Sequence, residues 1–481
     1  MRIATVNESL RIAVGLLFLL AVDAHAQCPT FTSPVAYPAG SSDPRDVSAG
    51  DFDGNGIVDL AVGNSGSVAV LFGNGDGTFD PPVTVAVTGT ALSVAVGDFD
   101  GDGDDDLAAG STSGIFVSLS NGDGTFAAAV PHAAGQNINW IETGDIDGNG
   151  DLDLVAAKAG PSPSGLTILT GNGDGTFDAP TFCCSMFFPR HVSLGDFNGD
   201  GDDDVIAIGG PGGTVTYRQS NGDGTFAGAV ELNVLRLSIA TAIGDVNGDG
   251  NLDVVSADTT PANQITVYLG SGAGTFNAGT SFAAGTDVRF VAIADFTADG
   301  NVDVAALNAA AFSILAGNGS GTFSAPLSFA AASGSSLTTA LFDANASPDI
   351  AVAGSAGVQV FLNSGCAPVP APTIISIAPP SGPSTGGQAV TITGTNLQNA
   401  GVTFGGVPAT IVSNDGTTLV VTTPPHAPGA VAVVVTTPGG TASGTFTYLA
   451  VPPAPGIPTL DLRALLMLAC ALVLAAAWVL R

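Results

Sequence analysis

Six segments of the chain set oxygen-bearing side chains at alternate positions with glycines between most of them. The first supplies Asp51, Asp53, Asn55 and Asp59, with Ile57 among them. Numbered 1, 3, 5, 7 and 9, these positions let alternate side chains and one main-chain carbonyl converge on a point, and glycines at 4 and 6 let the turn close around it. The pattern recurs as Asp98, Asp100, Asp102, Asp104, Asp106; as Asp145, Asp147, Asn149, Asp151, Asp153; and as Asp196, Asn198, Asp200, Asp202, Asp204. It recurs again as Asp245, Asn247, Asp249, Asn251, Asp253 and as Asp295, Thr297, Asp299, Asn301, Asp303. Hard oxygen donors at this density suit Ca²⁺, which takes several of them. Asx-rich turns without a metal are the alternative. Carboxylates converging at short range repel one another, however, unless a cation neutralises them. The sixth loop has Thr297 for an acid or amide and Ala298 for glycine, and a seventh around Leu341 has lost its first acid and is expected to bind nothing. An EF-hand is excluded, because Val62 stands where its glutamate belongs and strand-like segments flank the loops.

The loops belong to a larger repeat. They begin at Asp51, Asp98, Asp145, Asp196, Asp245 and Asp295, and each is followed by two apolar stretches, an Asn-Gly-Asp-Gly-like turn and Gly-Thr-Phe. In the second unit the strand-like stretches are Leu92–Phe99, Asp106–Gly110, Ile115–Ser120 and Phe126–Ala133, joined by Gly- and Asn-rich turns. Four short strands in a unit of about 45 residues predict a propeller blade.

With the Phe72-Gly73 pair and the Gly-x-Gly-Thr-Phe turns such as Gly75–Phe79, residues 30 to 366 resemble FG-GAP-like (VCBS-type) repeats, similar to the seven-bladed head of integrin α chains. The resemblance implies a nine-residue calcium loop in which positions 1, 3, 5 and 9 coordinate through side chains and position 7 through its carbonyl. Thr30-Phe31 matches Thr78-Phe79, so the chain begins with an outermost strand, which must complete the last blade and close the ring. Cys28 and Cys366 both align with Asp76, in the turn where this hairpin is cut. A Cys28–Cys366 disulfide is the expectation, with two free buried thiols as the alternative. Adjacent Cys183 and Cys184 leave a vicinal bridge open.

Beyond the propeller, residues 367–371 form a Pro-rich linker. Pro372–Gly387, Val390–Asn396, Val402–Gly406 and the closing Phe446-Thr447-Tyr448 resemble an IPT/TIG domain over 372–449, which implies an immunoglobulin-like sandwich. A second Pro-rich linker covers 450–456. Residues 1–26, with Arg2, Arg11, the apolar run Ile12–Val22 and Ala24-His25-Ala26, read as a secretory signal peptide. Residues 457–481 combine Ile457-Pro458-Thr459-Leu460, the apolar stretch Ala464–Leu480 and Arg481. They resemble the IPTL-type sorting signal of Gram-negative bacterial surface proteins, although Asp461-Leu462-Arg463 replaces the usual Trp-Gly. That implies export to the cell surface, with membrane contact only through one C-terminal hydrophobic helix that a sorting protease removes or that stays as an anchor.

Composition narrows the function. Asp and Glu total 42 against 10 Lys and Arg, a formal charge of −32, which leaves no basic footprint for nucleic acid. Gly382-Pro383-Ser384-Thr385-Gly386 matches the G-x-S-x-G elbow, but it falls in a Gly-Pro turn of a sandwich rather than between strand and helix. No histidine is expected near it, and the histidines are expected at the surface. The sequence thus predicts an all-β protein: a seven-bladed β-propeller closed by its N-terminal strand, an Ig-like domain and a terminal helix. It acts as a calcium-stabilised, non-catalytic binding or adhesion protein for an extracellular glycan or protein. A polysaccharide-active enzyme and a structural matrix protein are the alternatives. On the face opposite the acidic loops, Arg45, Arg190 and Arg289 occupy equivalent positions, with Trp140, Phe187 and Phe188 assigned to the same face. They are candidate contacts for an anionic or sugar ligand. Local pairing of Arg45 with Asp43 and of Arg289 with Asp287 is the alternative.

Overall fold

The computed structural model describes residues 28–40, 44–160, 163–210, 212–232, 237–259, 263–366, 371–398, 400–437, 440–450 and 466–467. The signal segment 1–26, Asp43, most of both linkers and nearly all of the sorting segment lie outside the described residues. Among those described, no helix is long and apolar enough to cross a membrane. The chain divides into two compact units, Met1–Ala367 and Pro368–Arg481.

The first unit is built from a repeated antiparallel sheet. In the third repeat, Ile138–Gly144, Asp153–Lys158, Gly165–Leu169 and Thr181–Cys183 pair in sequential order. The middle two strands are buried along their whole length. They are mostly Val, Ala, Ile and Leu because each sheet is covered on both faces by its neighbours, so no polar alternation is needed. The fourth strand is short and only partly buried, reduced to three residues. The first two repeats share one six-stranded sheet. There the single strand Val83–Gly97 pairs through Val85 with Val68 and through Val94 with Ala109, serving as outer strand of one repeat and inner strand of the next.

Among the described residues of this unit the pairing gives five four-stranded sheets besides the six-stranded one. Their inner strands neighbour one another in chain order, and Gly334–Ala340 returns to Asp46–Gly50, where the Ser336 hydroxyl donates to Asp46 at 2.6 Å. This closes the ring of a propeller. The last group lacks an outer strand of its own after Gly357–Phe361; Val35–Tyr37 fills that place, pairing Val35 with Val360 and Tyr37 with Val358. Next to this junction Cys28 and Cys366 are bonded, with Cα atoms 5.0 Å apart. The bond spans 338 residues, so it restricts the unfolded chain strongly, and cross-links of this kind contribute about 3 kcal/mol. Reduction should therefore lower the melting temperature by several degrees without altering the far-UV spectrum at 25 °C, a result calorimetry with and without reductant can check. An unchanged transition would mean the strand pairing alone holds the ring shut.

The strands expected from residue patterning are trimmed at the outer edge. Phe126 begins no strand; it makes one isolated bridge to Ser120, and regular pairing resumes only at Val130–His132. The cause is packing between repeats. The phenylalanine of the Gly-Thr-Phe turn leaves the sheet to pack on loop position 2 of the preceding repeat, which is aromatic except at Ile146 and Val246. Phe52 meets Phe126 at 5.9 Å, Phe99 meets Phe177 at 5.4 Å, Phe197 meets Phe276 at 5.5 Å, and Phe342 meets Phe79 at 5.5 Å across the closure. Each pair adds about 1 kcal/mol beyond the area it buries.

The second unit is an immunoglobulin-like sandwich. One sheet orders Thr373–Ala378, Ala389–Thr395, Thr418–Thr422 and Thr410–Asn414. The other is built on the long hairpin Gly429–Thr437 and Gly440–Leu449. Ile392, Phe404, Leu419, Val433, Phe446 and Tyr448 fill the space between them.

Candidate metal centres in the acidic loops

Each acidic loop connects the inner strand of a repeat to its second strand, and its main chain is wound around its own carboxylates. In the first, Asp51 accepts hydrogen bonds from the N–H groups of Asn55 and Gly56, at 3.1 and 2.7 Å. Asp53 accepts from Asn55 at 3.3 Å, and the Asn55 side-chain oxygen accepts from Ile57 at 2.6 Å. Gly54 and Gly56 adopt φ of +67° and +80°, a conformation that an L side chain would strain. The same position-5 to position-7 bond fixes Asp104, Asp151, Asp202, Asn251 and Asn301.

In the first three loops, carboxylate oxygens at positions 1, 3 and 9 all lie within 4.8 Å of one another: Asp51, Asp53 and Asp59; Asp98, Asp100 and Asp106; Asp145, Asp147 and Asp153. Oxygens that ligate one ion at ~2.4 Å must lie within about 5 Å of each other, so these spacings fit a hard divalent cation. Position 9 is the most deeply placed. Burial, with repulsion from the loop's other acids behind it, pushes Asp59 and Asp106 up to about 7 and Asp153 up to about 6. Burial likewise pushes Asp253 and Asp303 to about 6 and raises Asp204.

The fourth and fifth loops carry an amide at position 3. Asn198 donates to the Asp204 carboxylate at 3.2 Å and Asn247 to Asp249 at 3.0 Å, so Asp196, Asp200, Asp245 and Asp249 have one charge fewer to share the site with. In the sixth, Ala298 takes a φ of +55° where the first five loops have glycine, and Asp295 still accepts from Asp299 and Gly300. The seventh, with Leu341 exposed at position 1, retains the turn through Asp343 and Asn345.

Position 9 has a second task that its spacing as a ligand does not reveal. In every repeat this aspartate bridges the start of its loop to the end of the third strand. Asp59 accepts from Phe52 and Gly73, Asp106 from Phe99 and Ser120, and Asp349, in the loop without a position-1 acid, from Phe342 and Asn363. The signal was available, since Asp349 keeps its place in a loop that has lost its first acid.

The basic residues are less uniform than their spacing implied. Arg45, Arg190 and Arg289 do sit equivalently, each one residue before an inner strand with its N–H bonded to Gly63, Ile208 and Leu307. Arg289 is engaged locally, donating to Asp287 at 2.7 Å and to Ser333 and Gly334. Arg190 is exposed near Phe187 and Phe188, which are 62% and 59% exposed. Trp140 does not join that surface. Its ring lines a central cavity and stacks on His191, with centroids 4.2 Å apart. His191 is therefore no surface residue: it is buried, and that burial pushes its imidazole down to about 3. Nor is the Gly382–Gly386 turn free of histidine, because the His426 N–H donates to the Ser384 carbonyl at 3.0 Å. The His426 ring, however, stacks on Tyr448 and bonds the Ala427 carbonyl. Cys183 and Cys184 are both free thiols.

No curated protein matches the chain. Among solved structures it is similar to an Agrocybe aegerita lectin described as recognising non-reducing terminal N-acetylglucosamine. That match has 23% identity, covers 59% of this chain and 79% of the lectin, and has a TM-score of 0.44. It is also similar to the BBS1N chain solved with ARL6DN, at 10% identity over 70% of this chain and 98% of that one, with a TM-score of 0.50, a likeness of fold. The IPT/TIG domain family matches residues 372–448. The FG-GAP-like repeat matches 51–109, 98–156, 145–207, 196–256 and 245–306. Those matches overlap without a break across more than half of the 481 residues, and they begin on the same aspartates that open the acidic loops, so the chain belongs to the FG-GAP-like repeat proteins.

Proposed function

We propose that the protein is an exported, non-catalytic binding module in which calcium bound by the acidic loops rigidifies a seven-bladed propeller of the VCBS and integrin α type. Residues 1–26 direct export, and the IPTL-type segment 457–481 delivers the protein to the surface of a Gram-negative envelope. The observation that carries the calcium assignment is the threefold convergence of position-1, -3 and -9 carboxylates within 4.8 Å. Positions 1, 3, 5 and 9 would hold the ion, which would supply cross-linking of each loop rather than chemistry on a substrate.

A polysaccharide-active enzyme would need a pair of carboxyl groups free to act on a glycosidic bond. Outside the loops, the central cavity does contain Asp46 and Glu142. Asp46 is fully engaged, accepting from the N–H groups of Val47 and Val94 and from the Ser336 hydroxyl. One acid remains, which favours binding over hydrolysis. The test is a glycan and protein array probed with the calcium-loaded protein. Saturable retention of a ligand without its turnover is expected, weakened by Arg190→Ala if the face bearing Phe187 and Phe188 makes the contact. Release of reducing sugar ends from a retained polysaccharide would replace this reading with the enzymatic one.

A further inference from the structure

The repeats act as controls for one another along the central cavity. Three residues before each loop's first position, the inner strands carry Ser48, Ala95, Ser193, Ala242, Ala292 and Thr338, all small; only the third repeat departs, with Glu142. Two residues earlier, four repeats carry Asp46, Ser93, Ala240 and Ser336 and the other three carry rings, Trp140, His191 and Phe290. Ring closure brings these rings together: Trp140 and Phe290 have centroids 5.3 Å apart, and His191 and Phe290 5.7 Å. They share the wall of a cavity of about 350 Å³ with Glu142, a volume in the range of small-ligand sites.

Two polar groups in this wall are not used by the fold. The Trp140 indole N–H donates to Glu142 Oε2 at 3.1 Å, and Oε1 accepts from no described residue. The His191 ring lies at 3.3 Å from the Thr241 hydroxyl through Nδ1, while Nε2 is buried and has no partner among the described residues. His191 is 4% exposed, and leaving such an atom unpaired is costly. Burial holds the imidazole neutral, and in the tautomer whose Nδ1–H donates to Thr241 the Nε2 atom presents a lone pair to an ammonium donor. Among the described residues no lysine or arginine lines the cavity. A carboxylate oxygen, an imidazole lone pair and an aromatic wall are all acceptors of positive charge.

We propose that the central cavity binds a small organic cation bearing a primary ammonium, which donates to Glu142 and to His191 Nε2 against the Trp140–Phe290 wall. This goes beyond the surface-binding reading and shares with it only the premise that the propeller is a binding scaffold. Burial, with the Asp46 carboxylate behind it, pushes Glu142 up to about 7, so a cation in the cavity holds it ionised where an anion or a neutral polyol would not.

The sequence supplies a reporter, because Trp140 and Trp478 are the only tryptophans. The full chain carrying Trp478→Phe, loaded with calcium, is titrated with n-butylammonium, its neutral counterpart n-butanol and tetramethylammonium while Trp140 emission is followed. Butylammonium should give a saturable change. Butanol should bind about tenfold more weakly or not at all, and tetramethylammonium, which has no N–H for His191, should also be weaker. Glu142→Gln should weaken butylammonium by about tenfold with no change in melting temperature. Equal response to butanol and butylammonium, or full affinity in Glu142→Gln, would overturn the proposal. If that variant does not fold, the comparison of butylammonium with butanol decides alone. An array without hits leaves this result standing, and a silent cavity leaves the array result standing.

Discussion

Stripping divalent ions should lower the melting temperature of the propeller by about 15 °C at pH 8 and by much less at pH 5. The size follows from mass action: an ion present at a hundred times its dissociation constant stabilises by about 2.7 kcal/mol per site. The three loops with converging triads together then move the transition by a few degrees per kcal/mol, as expected for a large domain. The pH dependence follows from the position-9 acids. Burial raises Asp59 and Asp106 to about 7 and Asp153 to about 6, above the ordinary value of 3.8. Between about pH 4 and 7 the ion-free native state therefore binds more protons than the unfolded chain, and its stability falls as pH rises through that window. Below it both states are protonated and the penalty vanishes. A bound cation takes the place of those protons, so the loaded protein should keep its stability as pH rises. Calorimetry of resin-stripped and calcium-loaded protein at pH 5, 6.5 and 8 measures both curves. An ion-free transition that climbs with pH, or two curves that coincide at pH 8, would remove calcium from the account of the loops.

The parts of the molecule that could be read from its sequence are those whose partners lie close along the chain. A nine-residue loop contains its own donors and acceptors, so Asp51, Asp53 and Asp59 announce their convergence by spacing alone. The period of the loops, with strand-like stretches between them, was enough to define the blades. Even the ring closure follows from matching Thr30-Phe31 to Thr78-Phe79. The central cavity is different in kind. Trp140, His191 and Phe290 come from three repeats, and nothing local distinguishes a ring that faces the axis from one that faces solvent. The histidines do not cluster with metal-ligand spacing, so His191 reads as a surface residue, although it opens a fully buried inner strand, His191–Gly195. Trp140 shares a stretch of the repeat with the arginines, yet a strand turns successive side chains to opposite faces. The outer strands were overestimated because Phe126 and its equivalents have strand propensity, and packing between repeats takes them out of the sheet.

Asp349→Ala should destabilise the protein by about 2–5 kcal/mol, to the same extent with calcium and without it, because two buried N–H groups lose their acceptor at about 1–3 kcal/mol each. The residue is fully buried, and its carboxylate accepts from Phe342 at 2.8 Å and from Asn363 at 2.6 Å. Asn363 in turn donates to the Phe296 and Pro348 carbonyls, so the bridge ties the last repeat to its neighbour close to where the ring is sealed. Asp106→Ala removes the equivalent bridge to Phe99 and Ser120 and, in addition, one member of a converging triad. The two variants separate the roles that position 9 combines. In ion-free buffer they should lose similar amounts of stability, whereas in calcium Asp106→Ala should lose more, by the binding free energy of one site. Denaturant titrations of both variants in each buffer measure the difference. If Asp349→Ala is silent in both, the bridge contributes nothing and position 9 is a ligand only. If its loss appears solely in calcium, the seventh loop binds an ion despite Leu341.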